Sequence, residues 1–228
     1  SASLFSVSHS VINVSDTGVN IAALDATSLQ NLVNQMSAHG GTLNVTPDVL
    51  NITAAQYQVL KGTLSSADTV TIVDTGANIA LIPATDGSGA GFDNLDNNFV
   101  DYIDANNGAL SLTVAQYFNL GTTRLTGSDT VTLEDTGANL SNLTANQLSQ
   151  LGSKGIDGVK AKTNDLVLDV NQVQSLSFVP TLVSPAKFIL TDTAFNISSL
   201  SGSQLSALAA KGIPHAYLLF EGEQHGFR

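Results

Sequence analysis

The strongest constraint on this sequence is that it repeats itself. "VTIVDTGANIALI" (70–82) returns as "VTLEDTGANLSNL" (131–143), and "VINVSDTGVNIAAL" (11–24) and "FILTDTAFNISSL" (188–200) are looser copies. The aspartate of the shared D-T-x-x-N core falls at Asp16, Asp74, Asp135 and Asp192, in steps of 58, 61 and 57 residues. A second phrase lies inside each period: "NITAAQYQVL" (51–60), "SLTVAQYFNL" (111–120) and "VLDVNQVQSL" (167–176). It also follows the D-T-x-x-N cores, as "NLTANQLSQL" (142–151) and "SLSGSQLSAL" (199–208). The working unit is therefore near 30 residues: a short apolar strand, a turn, [T/S/D]-x-x-Q, then a leucine-spaced helix. A unit of that size cannot bury its apolar face alone and must stack on its neighbours.

The [T/S/D]-x-x-Q phrase has a mechanical meaning. A hydroxyl or carboxylate at the helix N-cap and a Gln at the third helical residue satisfy each other's orphan backbone N–H groups. Thr53 with Gln56, Thr113 with Gln116, Thr144 with Gln147 and Ser201 with Gln204 fit this capping box, and Asp169 with Gln172 is its Asp-capped variant. The rival reading of the glutamines is a polar ladder for a ligand. Leu148 and Leu151, or Leu205 and Leu208, supply helical apolar spacing, and Gly40, Gly62, Gly155 and Gly212 stand where helix ends are expected.

"DTVTIVD", "DTVTLED", "LVLDV" and "KFILTD" alternate or run apolar with β-branched enrichment, which predicts strands. Strands followed closely by helices predict right-handed crossovers and a parallel sheet. The expected fold class is α/β: a repeat solenoid of parallel strands, built from strand-turn-helix units of about 30 residues. The array is expected over residues 1–211, with cores near 16, 74, 135 and 192, and residues 212–228 form an atypical C-terminal tail or capping strand.

Two readings of the D-T-x-x-N core compete. In the first, Asp16, Asp74, Asp135 and Asp192 end strands in Asx-turns, and Gly18, Gly76 and Gly137 take positive φ. Asn20, Asn78, Asn139 and Asn196 then bond backbone one coil away. In the second, the carboxylates and main-chain carbonyls form a calcium shell. "SGAGFDNLD" (88–96) sharpens the calcium question, because it matches the G-G-x-G-x-D-x-U-x nonapeptide of calcium-binding β-rolls with Ser88 at the first position. Asp93 and Asp96 are its candidate ligands, with Asp101 and Asp104 following in an acidic run. The plain alternative is a solvated, Gly-rich insertion.

Composition excludes some functions. Nineteen acidic residues against 8 basic ones give a net charge of −11, which argues against nucleic-acid binding. There is no cysteine, hence no disulfide framework or thiolate metal site. No apolar run has the roughly 18 residues a membrane span requires, and no signal peptide is evident in "SASLFSVSHS". His9, His39 and His215 show no H-x-x-x-H spacing, and "GTTRLTGSD" lacks the lysine of a phosphate loop. Tyr57, Tyr102, Tyr117, Phe99 and Phe118 are expected to lie in helical phrases and fill core.

The phrases "V-T-[IL]-x-D-T-G-A-N-[IL]", "L-T-x-x-Q-x-x-x-L" and "L-x-L-T-x-x-Q" resemble tandem repeats of large bacterial exoproteins: type I secreted, RTX-like, surface-layer or adhesin-like. The resemblance covers about residues 8–210. It implies an extracellular or cell-surface, structural or adhesive module, often near calcium-binding repeats, and it implies no chemistry. The tail "GIPHAYLLFEGEQHGFR" (212–228) is similar to the catalytic-histidine segment of prolyl oligopeptidase-like serine peptidases, with His225 in the general-base place. That chemistry needs a G-x-S-x-G nucleophile and an Asp orienter, and the chain contains no G-x-S-x-G. The sequence therefore reads as a non-catalytic module contacting protein or glycan at the cell surface, or assembling with itself. Its alternative is a calcium-responsive secretion module folded by Ca2+ outside the cell. A serine peptidase fragment is the remote third.

Overall fold

A computed structural model describes residues 11–176, 181–183 and 186–210. The chain divides into two compact units, Ser1–Ser111 with Ala115–Thr130, and Leu112–Val114 with Val131–Arg228. In chain order the elements begin with β1 (Val14–Asp16), α1 (Gly18–Ala22), α2 (Ala26–His39), β2 (Leu43–Val45), β3 (Val49–Ile52), α3 (Ala54–Leu60), β4 (Thr69–Asp74) and α4 (Gly76–Ile79). A 3-10 turn at Phe92–Asn94 precedes β5 (Tyr102–Ala105), β6 (Ala109–Leu112), α5 (Val114–Phe118) and β7 (Arg124–Leu125). Then follow β8 (Thr130–Asp135), α6 (Gly137–Ser141), α7 (Ala145–Gln150), β9 (Gly158–Ala161), β10 (Leu166–Leu168) and α8 (Val170–Ser175). The last described elements are β11 (Thr181–Leu182), β12 (Phe188–Leu190), α9 (Ala194–Ser198) and α10 (Gly202–Ala210). The fold is mixed α/β with several parallel sheets. Among the described residues no helix is long and apolar enough to cross a membrane.

In the first unit, β1 pairs with β2, and β3, β4, β5 and β7 lie side by side in that order, all parallel. In the second, β8, β9 and β11 are parallel neighbours, and β10 pairs with β12. The registers correct the uniform 30-residue step. Val14 faces Leu43 and Thr71 faces Tyr102, but Val49 faces Thr69 and Leu166 faces Phe188. Long and short steps alternate because β4 is one six-residue strand, whereas the passes around it carry two short strands each. One edge of β4 takes β3, the second strand of the pass before, and the other takes β5, the first strand of the pass after.

Strands β4 and β8 form where the pattern predicts, with apolar residues pointing inward in alternation. Val70 and Ile72 of β4 and Val131 and Leu133 of β8 are wholly buried, each such side chain contributing roughly 1.5–3 kcal/mol of burial. Glu134 faces Lys160 across β8 and β9 and forms an ion pair at 3.0 Å on the outer side of that sheet.

Two expectations fail. The Gly-rich stretch is not a solvated insertion: Ala90, Phe92 and Leu95 are fully buried. Asn98 fixes the segment by donating to the Gly89 carbonyl and the Tyr57 hydroxyl while accepting from Gly62 N. The apolar Phe92 and Leu95 outweigh the glycines because two large side chains bury more surface than the flexible backbone costs to order. The aromatics also divide. Tyr57 and Tyr117 are core, but Tyr102 lies on β5, Phe99 sits in a turn at φ 58°, and both Phe99 and Phe118 are exposed.

Candidate functional site

The four D-T-x-x-N cores adopt one geometry. Oδ1 of Asp16 accepts from Thr17 N and Asn20 Nδ2, both at 2.7 Å. Asp74 does the same with Thr75 and Asn78, Asp135 with Thr136 and Asn139, and Asp192 with Thr193 and Asn196, all within 2.6–2.8 Å. The Asn side chains thus close their own turn. They do not reach backbone one coil away, as the sequence reading expects, because the preceding carboxylate is nearer.

The motif threonines were the residues missed. Thr17, Thr75, Thr136 and Thr193 are helix N-caps, each hydroxyl accepting the backbone N–H of the motif Asn. The signal was present, since Thr three residues before Asn is an N-cap spacing.

The second carboxylate oxygen reaches a helix start earlier in the chain. Asp74 Oδ2 accepts from Ala54 N at 3.1 Å, Asp135 Oδ2 from Val114 N at 3.0 Å and Asp192 Oδ2 from Val170 N at 3.1 Å. Each donor is the first residue of α3, α5 or α8, so one carboxylate finishes two helix N-termini.

The glutamines complete the connection. Gln56 Oε1 accepts from Thr53 N while its Nε2 donates to the Ala22 and Leu24 carbonyls, each at 2.8 Å. Gln172 accepts from Asp169 N and donates to Ser141 and Leu143, and Gln116 donates to Ala80 and Ile82. Capping boxes close at Thr53/Gln56, Thr144/Gln147 and Asp169/Gln172. Ser201 and Gln204 bond reciprocally, and Thr113 directly precedes α5. The capping reading thus describes these side chains, and Gln56, Gln116 and Gln172 also donate to carbonyls of a distant stretch of chain.

The motif glycines need a different explanation from the one the sequence suggests. Gly18, Gly76 and Gly137 do not have positive φ, which among the described glycines belongs to Gly40, Gly62, Gly89, Gly108, Gly121 and Gly155. Close approach requires them. A Cβ on Gly76 would stand 1.9 Å from the Ala109 carbonyl oxygen, one on Gly18 2.0 Å from that of Val49, and one on Gly137 2.3 Å from that of Asp165. The segment that would correspond beside Ala194 lies beyond residue 210, outside the described residues. Gly40 closes α2 in the left-handed conformation as expected, while Gly212 also falls outside.

Electrostatically the turns are anchored. The Asn20 amide, then the Thr17 N–H, holds Asp16 below the usual carboxylate range. At Asp192 burial acts upward but is outweighed by donation from Asn196, Thr193 and Val170, so the net direction is down. Asp68 at the start of β4 is pushed up, first by burial and then by the charge of Asp48.

Among the described residues no group of three or more His, Cys, Asp or Glu side chains is gathered as a metal shell. Asp93 is exposed on the 3-10 turn, and Asp96 accepts the Thr122 hydroxyl. The structure thus does not join Asp93 and Asp96 to a further acidic ligand. His9, His215, His225 and the strand expected at "AYLLF" lie outside the described residues. No family profile, no curated protein and no solved structure matches this chain.

Proposed function

We propose that this chain is a repeat solenoid of strand-turn-helix units serving as a non-catalytic structural or adhesive module of a secreted or cell-surface bacterial protein. One observation carries the reading. Part of the repeated polar set ties one stretch of chain to another: Asp74, Asp135 and Asp192 each bridge two helix starts, and Gln56, Gln116 and Gln172 donate to distant carbonyls. Groups committed in this way stabilise an array and leave its outer side to make contacts, with protein, glycan or further copies as partners. The resemblance to bacterial exoprotein repeats supports the extracellular setting.

Display of the chain on a non-adherent bacterium tests the function. The expected result is cell–cell aggregation or attachment to host-cell or glycan-coated surfaces; verified display with neither would overturn the adhesive reading. Solution X-ray scattering tests the architecture. A compact domain of this length has a radius of gyration of about 17 Å, and a stacked array must exceed it. The calcium-responsive reading is separated in the same experiment. Because Phe92 and Leu95 are already packed, the scattering profile and melting temperature should be the same in chelator and in millimolar calcium. Compaction or a marked rise in melting temperature with calcium would favour the secretion module instead.

A further inference from the structure

The first unit leaves large apolar side chains outside. Val19 on α1 is 79% exposed, Leu81 just past α4 is 80% exposed, and Val49 on β3 is 53% exposed. Stacking does not use them, and they are not scattered. Thr17, Gly18, Val19, Ala22, Ala23, Pro47, Val49 and Asn51 line one groove. Ala54, Ala55, Leu81, Ile82 and Pro83, with Gln58, Asp74 and Asn78 at the side, line a second. Asn51 of the first and Ala54 of the second are joined by two residues of chain. The missing Cβ of Gly18 contributes directly, since it brings α1 down onto the Val49 carbonyl and sets Val19 beside Val49.

The surroundings are of one charge. Residues 1–111 and 115–130 hold eleven Asp and no Glu, against Lys61 and Arg124 as the only Lys or Arg. Neither basic residue lines a groove, although Lys61 stands near Asp86, donating to Ser88 Oγ at 2.6 Å. Asp16 adjoins Thr17, Asp48 lies between Pro47 and Val49, Asp25 follows Ala23 by two positions and Asp86 follows Pro83 by three. Hydrogen bonds hold Asp16, Asp25 and Asp86 ionised, from Asn20, Ser28 and Ser88 respectively. Two apolar grooves, close along the chain and flanked in sequence by acidic residues, suit a partner that is apolar along one side and cationic along the other.

We infer that the Val19–Val49–Leu81 strip is a docking surface for an extended, Lys- or Arg-bearing apolar segment of a partner protein. It deepens the adhesive reading, on which it rests, by naming the partner's chemistry. Among the described residues no aromatic ring lines either groove to stack on a sugar, which disfavours a glycan. An acidic rim repels anionic lipid and a second copy of a chain whose net charge is −11. An extended segment fits because Val49 and Asn51 project outward from β3 at a period of two, which an alternating strand matches.

The test is fluorescence anisotropy with a labelled decapeptide of alternating Lys and Val, and its Glu/Val counterpart as control. Binding of the Lys/Val peptide alone is expected. The double variant Val19→Asn/Leu81→Asn should weaken it by about tenfold or more, which corresponds to about 1.4 kcal/mol, with the thermal melt unchanged because both side chains are exposed. Absence of binding, or equal binding to the double variant, would overturn the inference. Either failure leaves the display and scattering results standing, so this inference and the proposed function fail separately.

Discussion

Gly76→Ala is expected to destabilise the first unit by about 3 kcal/mol or more, the upper end of overpacking costs. The new methyl would lie 1.9 Å from the Ala109 carbonyl oxygen, 3.0 Å from its carbon and 3.1 Å from the Leu110 Cα, all backbone. A flexible neighbour could swing aside, but these atoms belong to β6, whose Leu110 and Leu112 are anchored in the core. The helix α4 must therefore lift, which breaks the bond from Gly76 N to Asn107 Oδ1 at 2.9 Å. Urea titration followed by circular dichroism measures the effect. Gly127→Ala is the control: nothing lies within 4 Å of its Cβ position and its φ is not positive, so it should be neutral. Equal midpoints for the two variants would refute the close-approach account of the motif glycines.

The second large effect is expected at Gln56. Its amide is 6% exposed and faces the Ala22 and Leu24 carbonyls. Gln56→Ala leaves those two acceptors and the Thr53 N–H without partners, at a cost of about 3 kcal/mol or more, given roughly 1–3 kcal/mol for each buried group left unsatisfied. Gln56→Glu keeps the shape and can still accept from Thr53 N, but it turns a carboxylate oxygen toward two carbonyl oxygens. At pH 7 it should be at least as damaging as Gln56→Ala. The sign with pH follows. The new carboxyl would have a folded pKa above its unfolded value, so its protonated form, which can donate once, stabilises at low pH. That contribution is lost as pH rises through the folded pKa. Melting temperatures of the two variants should therefore cross, Glu above Ala near pH 4 and below it near pH 7. Parallel curves would mean that the amide does not donate across the passes.

Both expectations concern bonds that tie one stretch of chain to another some 30 residues away, and this is where sequence and structure divide the information. The existence of the capping boxes was legible because an N-cap and its partner lie three residues apart, and local geometry decides whether they meet. The strands at "VTIVD" and "VTLED" were legible for the same reason, as their alternation is a property of a few consecutive side chains. That Asp74 would accept backbone N–H at the strand end was legible, but the donor is Thr75, one residue on, rather than the residue two on that an Asx-turn uses, because Gly76 N donates to Asn107 Oδ1. What Asn78 would bond was not legible: the nearby charged Asp74 carboxylate takes its amide in place of distant backbone.

The sequence by itself determined the bricks, namely short strands, short capped helices and a repeated turn, since each depends on chain neighbours. Tertiary structure alone decided why the glycines of D-T-G are glycines, which partner the second oxygen of each motif aspartate takes, and that Phe92 and Leu95 belong to the core. Those are matters of which distant backbone comes within 2–4 Å, and periodicity carries no record of that separation. The uneven register has the same origin: a phase shift between passes is set by how two short strands share the edges of one longer strand.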